Sequence, residues 1–230
     1  MFLIYGQLST VYGQQGWWPV TPKGEITPKY GISEHNKLQR FEICIGAILT
    51  QNTAWTNAEK ALVELNKSKL LEPEKILNTP KDKLASLIKS AGYFNQKAER
   101  LHTMSKFFER IDLEKEELSV LREKLLALNG VGPETADSIL LYAAEKPVFV
   151  IDAYTKRIFS RVGYLEESAS YEEWQKLFHK ELPRSTQLYN EYHALIVEHA
   201  KRNCMKKPVC NGCVLDGVCK RRINHTKDYI

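Results

Sequence analysis

The chain has 230 residues, of which 43% are hydrophobic, so it can bury a sizeable core and disorder throughout is excluded. Its longest apolar stretch, Ile43–Leu49, falls far short of the roughly 20 residues that a membrane span requires, so no membrane contact is expected. The net charge of +5 indicates an acidic partner only weakly. The first residues lack a basic region and a long apolar run, which predicts a cytoplasmic protein.

Residues 1–31, rich in Gly, Pro, Tyr and Trp, are predicted to form an ordered but irregular arm that packs on the C-terminal lobe. From Leu38 onward apolar residues recur at helical spacing, and only the short run 148–151 could form a strand. The pattern predicts an all-α fold, a two-lobed bundle of about ten short helices. We expect a six-helix lobe over 32–145 that ends in a helical hairpin, a C-terminal lobe over 146–223 and a tail over 224–230.

Two glycines stand one residue apart in the run Leu128–Ala136, which connects two predicted helices. Gly130 and Gly132 allow the backbone to approach a ligand closely, and Pro133 suits the first turn of the second helix. The free N–H groups at the start of that helix are suited to a phosphate. An ordinary turn between two helices explains the same run equally well.

Asp152 follows the apolar segment 148–151 and precedes another predicted helix. Taken alone, an aspartate in this setting is most often a helix N-cap.

Four of the five cysteines lie between residues 204 and 219 in the spacing C-x5-C-x2-C-x5-C. A reducing compartment disfavours disulfides, so these thiols are predicted to ligate a metal centre. The spacing favours a [4Fe-4S] cluster, which accepts varied loop lengths, over zinc, which usually takes two short C-x2-4-C pairs. Zinc remains the alternative. Cys44, in an apolar stretch, is predicted to be a buried core thiol.

Basic residues concentrate around the cysteines, with a single acid, Asp216, among them. This cluster predicts a positively charged surface that binds phosphate, and four residues elsewhere are further candidates for phosphate contacts. The cluster consists of Lys201, Arg202, Lys206, Lys207, Lys220, Arg221 and Arg222; the others are Lys97, Arg100, Lys156 and Arg157.

The chain resembles the helix-hairpin-helix DNA glycosylases of the endonuclease III superfamily. Three features carry the resemblance, in this order: the hairpin run 128–136, the segment Val150–Asp152 and the cysteine loop. It extends from about Leu38 to Cys219. The resemblance implies a monomeric base-excision-repair glycosylase acting on double-stranded DNA that contains a damaged base, and hence associated with the nucleoid. Asp152 would be the catalytic acid. The first cysteine spacing is one residue shorter than in endonuclease III. The resemblance implies a [4Fe-4S] cluster on Cys204, Cys210, Cys213 and Cys219, a wedge of Gln51 and Asn52, and DNA contacts by Asn129, Gly130, Val131, Gly132, Glu134 and Thr135.

Glu134 stands where endonuclease III has the lysine that attacks the sugar. A carboxylate cannot form that Schiff base, which implies a monofunctional enzyme in which water displaces the base. Asp152 would stabilise the developing positive charge and help to orient or deprotonate that water.

Four segments are similar to the 3-methyladenine DNA glycosylase III branch: 16–19, 47–55, 92–98 and 132–137. This likeness implies that Trp17 and Trp55 hold the flipped base between aromatic faces, with Trp18 and Pro19 also in the pocket. An alkylated purine is cationic, and an indole face attracts it by cation-π stacking. Packing of the arm explains Trp18 nearly as well.

Three alternative functions remain open. The chain could be a bifunctional glycosylase and abasic-site lyase for oxidised pyrimidines, a thymine or uracil mismatch glycosylase, or a DNA-binding module without catalytic activity.

Overall fold

The computed structural model describes residues 1–221, so Arg222 of the basic cluster and the predicted tail over 224–230 lie outside the described residues. The predicted all-α fold class is confirmed, since β-structure within residues 1–221 is limited to one bridge between Val20 and Lys29. No helix in this part of the chain is long and apolar enough to cross a bilayer. The helices are α1 (Phe2–Tyr12), α2 (Lys37–Leu49), α3 (Trp55–Lys67), α4 (Pro73–Leu77), α5 (Lys81–Leu87), α6 (Phe94–Arg110), α7 (Leu118–Leu126), α8 (Pro133–Ser138), α9 (Ala153–Val162), α10 (Tyr171–Glu181) and α11 (Thr186–Arg202), with a 3-10 turn over Lys89–Ala91 and a π-helical turn over Ile139–Ala143.

The described chain divides into two compact units. Residues Gly16–Val148 form one, here called the hairpin unit, and residues 1–15 with those from Phe149 onward form the other, the cysteine unit. The segment predicted as one arm over 1–31 is therefore shared between the two.

The prediction of an irregular arm is wrong for Phe2–Tyr12, which is a helix. Gly6 and the β-branched residues of this segment are poor helix formers, so its sequence carries little local helical signal. The helix forms because Ile4 and Leu8, one turn apart, are buried where α1 packs on α11.

Helix α2 is the centre of the hairpin unit, and every residue from Arg40 to Leu49 is buried. Asn36 caps its first turn in a capping box with Gln39. Cys44 has no exposed surface, which confirms the predicted core thiol, and burial raises its pKa.

The cysteine unit is built on aromatic side chains. Phe149 and Phe178 stack with ring centroids 4.1 Å apart, and Phe159 meets Phe178 edge to face at 4.7 Å. Helix α9 starts within this core, with Asp152 as its N-cap, and ends at Val162. Gly163 caps it with a φ of 110°, which suits only glycine well.

Candidate functional site

The hairpin consists of α7, the turn 127–132 and α8. Gly130 has a φ of +84°, and a Cβ atom there would come within 2.3 Å of the Arg100 Nε. Gly132 caps α8 with extended backbone (φ −92°) and has open space around a notional Cβ. The turn therefore needs glycine at 130 for its conformation and packing, whereas Gly132 keeps a backbone surface clear.

The predicted DNA contacts of the hairpin are not all alike. Asn129, Gly132 and Glu134 are exposed, while Val131 and Thr135 are buried at 8% exposure each. The exposed members can reach a ligand directly. The two buried side chains can act only by shaping the backbone of the turn.

Gln51 lies directly beneath this turn. Its amide nitrogen donates to the carbonyl oxygen of Gly130 at 2.9 Å and to the Thr135 hydroxyl at 3.0 Å. Its amide oxygen accepts from the Arg100 guanidinium at 2.5 Å. Gln51 thus braces the hairpin, whereas the adjacent Asn52 is exposed in the left-handed region (φ 52°).

Lys97 cannot be a surface phosphate contact, and that prediction is wrong. Its side chain is buried, and the ammonium group donates to the carbonyl oxygens of Leu49 and Ala91 and to the Thr53 hydroxyl, all within 2.9 Å. Burial, helped by Arg100, lowers its pKa to about 8. A buried cation needs such partners, so Lys97 ties the segment that follows α2 to the 3-10 turn before α6.

The predicted base-pocket tryptophans form one aromatic cluster within the hairpin unit. Trp17 contacts Trp55 edge to face with ring centroids 4.9 Å apart, and Trp18 meets Trp55 at 5.5 Å. Tyr30 and Tyr142 extend the cluster, and the sequence reasoning missed both. Trp17 is the half-buried member of the three indoles, while Trp18, Pro19 and Trp55 are buried.

Two contacts with α2 hold the segment that carries these tryptophans. The Glu42 carboxylate accepts from the backbone N–H of Thr21 at 2.8 Å and from its hydroxyl at 2.6 Å. Burial raises the pKa of Glu42, and the two hydrogen bonds oppose that shift. A Cβ at Gly46 would lie 3.0 Å from the Trp18 ring, so glycine makes room for the indole.

Asp152 does serve as a helix N-cap. Its Oδ1 accepts from the backbone N–H and from the hydroxyl of Thr155, each at 2.7 Å. The other oxygen, Oδ2, lies 3.5 Å from Nε2 of His193, a residue to which the sequence reasoning gave no functional role. The packing of α9 against α11 brings His193 beside Asp152, and the spacing of the two residues in the sequence does not predict this contact.

The ionisation of Asp152 is decided by opposing effects. Burial would raise the pKa of the carboxyl, but His193 and the two Thr155 donors outweigh burial and lower it. Asp152 is therefore a carboxylate at neutral pH, held at the positive end of α9.

The four loop cysteines line one small cavity of about 30 Å³. Apolar side chains, among them Ile158, Val162 and Leu215, form much of its wall, and no carboxylate lines it. Four thiols in an apolar setting are the donor set of a soft metal centre. Within residues 1–221 no three His, Cys, Asp or Glu side chains converge closely enough to share one metal ion.

Arginines of α9 anchor the cysteine loop. Arg157 donates to the carbonyl oxygen of Cys204 at 2.9 Å. Arg161 reaches the Cys204 sulfur at 3.3 Å and the carbonyl oxygens of Met205 and Lys206 at 2.6 and 3.0 Å. Lys156, like Arg157 predicted to contact phosphate, bonds the carbonyl oxygen of Ala169 at 2.6 Å. Both residues are partly exposed, and their phosphate contacts stay predictions.

The basic cluster around the loop stays at the surface. Its described members are exposed, and two of them pair with acids, Arg202 with Glu198 and Arg221 with Asp216. A positive surface beside the loop is therefore retained.

Comparison with known proteins gives consistent matches. The family model for the HhH-GPD superfamily base excision DNA repair protein matches residues 45–184. A protein of Methanocaldococcus jannaschii named "Putative DNA repair glycosylase MJ1434" is 45% identical over 227 residues, which cover 95% of each chain. Endonuclease III of Thermotoga maritima is 32% identical over 81% of this chain and 85% of its own length.

Among solved structures, Helicobacter pylori 3-methyladenine DNA glycosylase (MagIII), bound to 1,N6-ethenoadenine, superposes with a TM-score of 0.69 at 28% identity. The match covers 87% of this chain and 97% of that one.

Proposed function

The chain belongs to the HhH-GPD superfamily of base excision DNA repair proteins and is a DNA glycosylase, and on that premise we propose that it is a monomeric, monofunctional enzyme for alkylated purines. The observation that carries the substrate assignment is the aromatic cluster of Trp17, Trp18 and Trp55. The observation that carries the reaction type is a glutamate, Glu134, exposed on the hairpin.

The aromatic cluster suits a cationic base. An N3- or N7-alkylated purine carries positive charge, and stacking on an indole stabilises it by about 0.5 to 2 kcal/mol, depending on desolvation. The H. pylori enzyme named for 3-methyladenine is consistent with this substrate class. Trp17 and Trp55 touch edge to face, so a base lies between them only when the rings separate. The half-buried Trp17 is the ring with room to move.

The reaction needs little activation of the leaving group. A water oxygen bonds to the sugar C1′ as the bond between C1′ and the base nitrogen breaks, and the electron pair of that bond neutralises the alkylated purine. The water loses a proton to solvent, and an intact abasic site remains. The Asp152 carboxylate stabilises the positive charge that develops on the deoxyribose. Glu134 offers no amine, so no Schiff base forms at this position.

The hairpin turn is assigned to the DNA backbone. The exposed backbone at Gly132 and the first N–H groups of α8 suit a phosphate, and the basic cluster near the cysteines supplies further, salt-dependent attraction. Of the two wedge residues, Asn52 is exposed, whereas Gln51 is bonded to the hairpin. Asn52 is therefore assigned the larger part in filling the space of the flipped base.

The cysteine loop is assigned to a [4Fe-4S] cluster held by Cys204, Cys210, Cys213 and Cys219, with zinc as the alternative. When bound, the cluster would hold the four cysteines together and so stiffen the loop that carries the basic residues. Iron and acid-labile sulfide analysis distinguishes the two centres. About four of each per chain supports the cluster, and one zinc per chain with no sulfide refutes it.

The test is base release from methylated duplex DNA, with abasic sites counted before and after alkali. Free 3-methyladenine with cleavage only after alkali supports the proposal, and Asp152→Asn should then lower the rate. A parallel duplex with an oxidised pyrimidine tests the second candidate, a bifunctional glycosylase, which the relatives named endonuclease III favour. Release of that pyrimidine with spontaneous nicking would overturn the proposal.

A further inference from the structure

The two oxygens of Asp152 have different surroundings within the cysteine unit. Oδ1 accepts both Thr155 donors at 2.7 Å, which commits it to the start of α9. Oδ2 faces His193 of α11 at 3.5 Å. Because Oδ1 is committed to the cap, Oδ2 is the oxygen that can act on substrate.

His193 and Asp152 are both largely shielded from water, with side-chain exposures of 13% and 11%. A carboxylate in such a setting is stable only with partners, and a charged or N–H-bearing imidazole is a strong one. Thr155 supplies two donors to one oxygen, and the imidazole is placed against the other.

We propose that His193 is a positioning residue for catalysis, which fixes Oδ2 of Asp152 and keeps the carboxylate charged while positive charge develops on the sugar. This inference rests on the proposed function and deepens it. Nε2 lies 3.5 Å from Oδ2, so an N–H on this nitrogen would make that oxygen a poorer proton acceptor and leave its negative charge in place. The arrangement therefore favours electrostatic stabilisation by Asp152 over abstraction of a proton from water.

The experiment compares four variants with wild type. His193→Leu removes both ring nitrogens. His193→Gln places an amide N–H near the position of Nε2, whereas His193→Asn places one near Nδ1, and the asparagine side chain is too short to reach Oδ2. His102→Leu is the matched control, since His102 is half-buried and bonds the carbonyl oxygen of Thr79, away from Asp152 in sequence and in a different unit. Single-turnover base release is measured on methylated duplex DNA, and affinity on a duplex with a tetrahydrofuran abasic analogue.

We expect His193→Leu and His193→Asn to slow base release about 10-fold or more, with affinity within about twofold of wild type. His193→Gln should recover most of the rate, and His102→Leu should retain it. If His193→Leu does not fold, the comparison of the His193→Gln and His193→Asn rates tests the proposal by itself.

Two results would overturn the inference while leaving the proposed function intact. In the first, wild type releases the methylated base and His193→Leu releases it at the same rate. In the second, the Gln and Asn variants lose equal rate, which indicates a purely structural role for His193. If wild type releases only the oxidised pyrimidine, the proposed function fails, and the role of His193 is decided on that substrate by the same variants: loss in the Leu and Asn variants with recovery in the Gln variant supports it, and an unchanged rate overturns it. Release of neither base removes the proposed function and this inference together.

Discussion

Arg122 and Asp137 join the two helices of the hairpin by a bidentate ion pair, with Nε to Oδ1 at 2.7 Å and Nη2 to Oδ2 at 3.1 Å. Asp137 has no exposed surface, whereas Arg122 is about a quarter exposed. The pair holds α7 and α8 in register on either side of the turn that is assigned to the DNA backbone. The geometry of that turn therefore depends on a buried charge that must keep its partner.

Arg122→Ala should lower the free energy of unfolding by about 3 kcal/mol, because it leaves a fully buried carboxylate without its arginine. Urea unfolding monitored by circular dichroism measures the change. Lys124→Ala is the matched control, since Lys124 lies on the same helix and its partner Glu116 is partly exposed. That variant should change stability by less than about 1 kcal/mol, and equal losses in both would contradict the assignment.

Gly130→Ala should destabilise the protein by about 2 kcal/mol, because it imposes a Cβ on a positive φ and on the Arg100 side chain. Gly132→Ala should unfold like wild type, since its φ is −92° and the space around it is open.

The two alanine variants also separate folding from DNA binding. If the backbone at Gly132 approaches a phosphate, Gly132→Ala should weaken binding to a duplex with an abasic analogue despite unchanged stability. Binding equal to that of wild type would argue against close approach at this residue.

The stability of the hairpin unit should fall in acid partly because of His35. Its side chain is 6% exposed, and burial lowers its pKa, with Arg40 adding to that effect and Glu145 and a hydrogen bond with Ile32 opposing it. The folded state therefore holds His35 neutral, while the unfolded chain takes up a proton below a pH of about 6.5. The stability that the neutral His35 contributes is therefore fully present above a pH of about 6.5 and is lost as the pH falls below it.

This contribution amounts to at most about 1.4 kcal/mol per pH unit. His35→Phe should therefore lose less stability than wild type between pH 7 and pH 5.5 in urea titrations. Parallel pH profiles for the two proteins would show that His35 does not contribute.

Glu134→Lys should introduce Schiff-base chemistry, since the resemblance places a lysine at this position and Glu134 is exposed. Borohydride treatment in the presence of abasic duplex should trap a covalent adduct for this variant. Glu134→Arg, with the same charge and no nucleophilic amine, is the control. An adduct of equal yield in wild type would mean that another amine already acts as the nucleophile.

Arg161→Gln should reduce the iron and sulfide content of the purified protein, because this arginine holds Cys204 and the two residues after it. Arg202→Gln is the control, an exposed arginine of the same basic cluster that pairs with Glu198. Full cluster content in Arg161→Gln would show that the four cysteines order the loop without it.

The sequence by itself determined the features that are local in the chain. The helical period, the two glycines before Pro133, the aspartate after an apolar run and the cysteine spacing all express constraints among neighbouring residues, so each could be recognised without coordinates. The helix Phe2–Tyr12 was missed because its own residues hardly favour it and packing on α11 decides it.

Only the tertiary structure decided which distant side chains meet. It placed His193 beside Asp152, bonded Gln51 to the hairpin turn, and buried Lys97 against carbonyl oxygens instead of exposing it to phosphate. His193 lies 41 positions from Asp152 in the chain, Gln51 lies 79 from Gly130, and Lys97 lies 48 from Leu49, whose carbonyl oxygen it bonds. No local pattern specifies such pairs, because they arise when helices pack and buried polar groups must find partners.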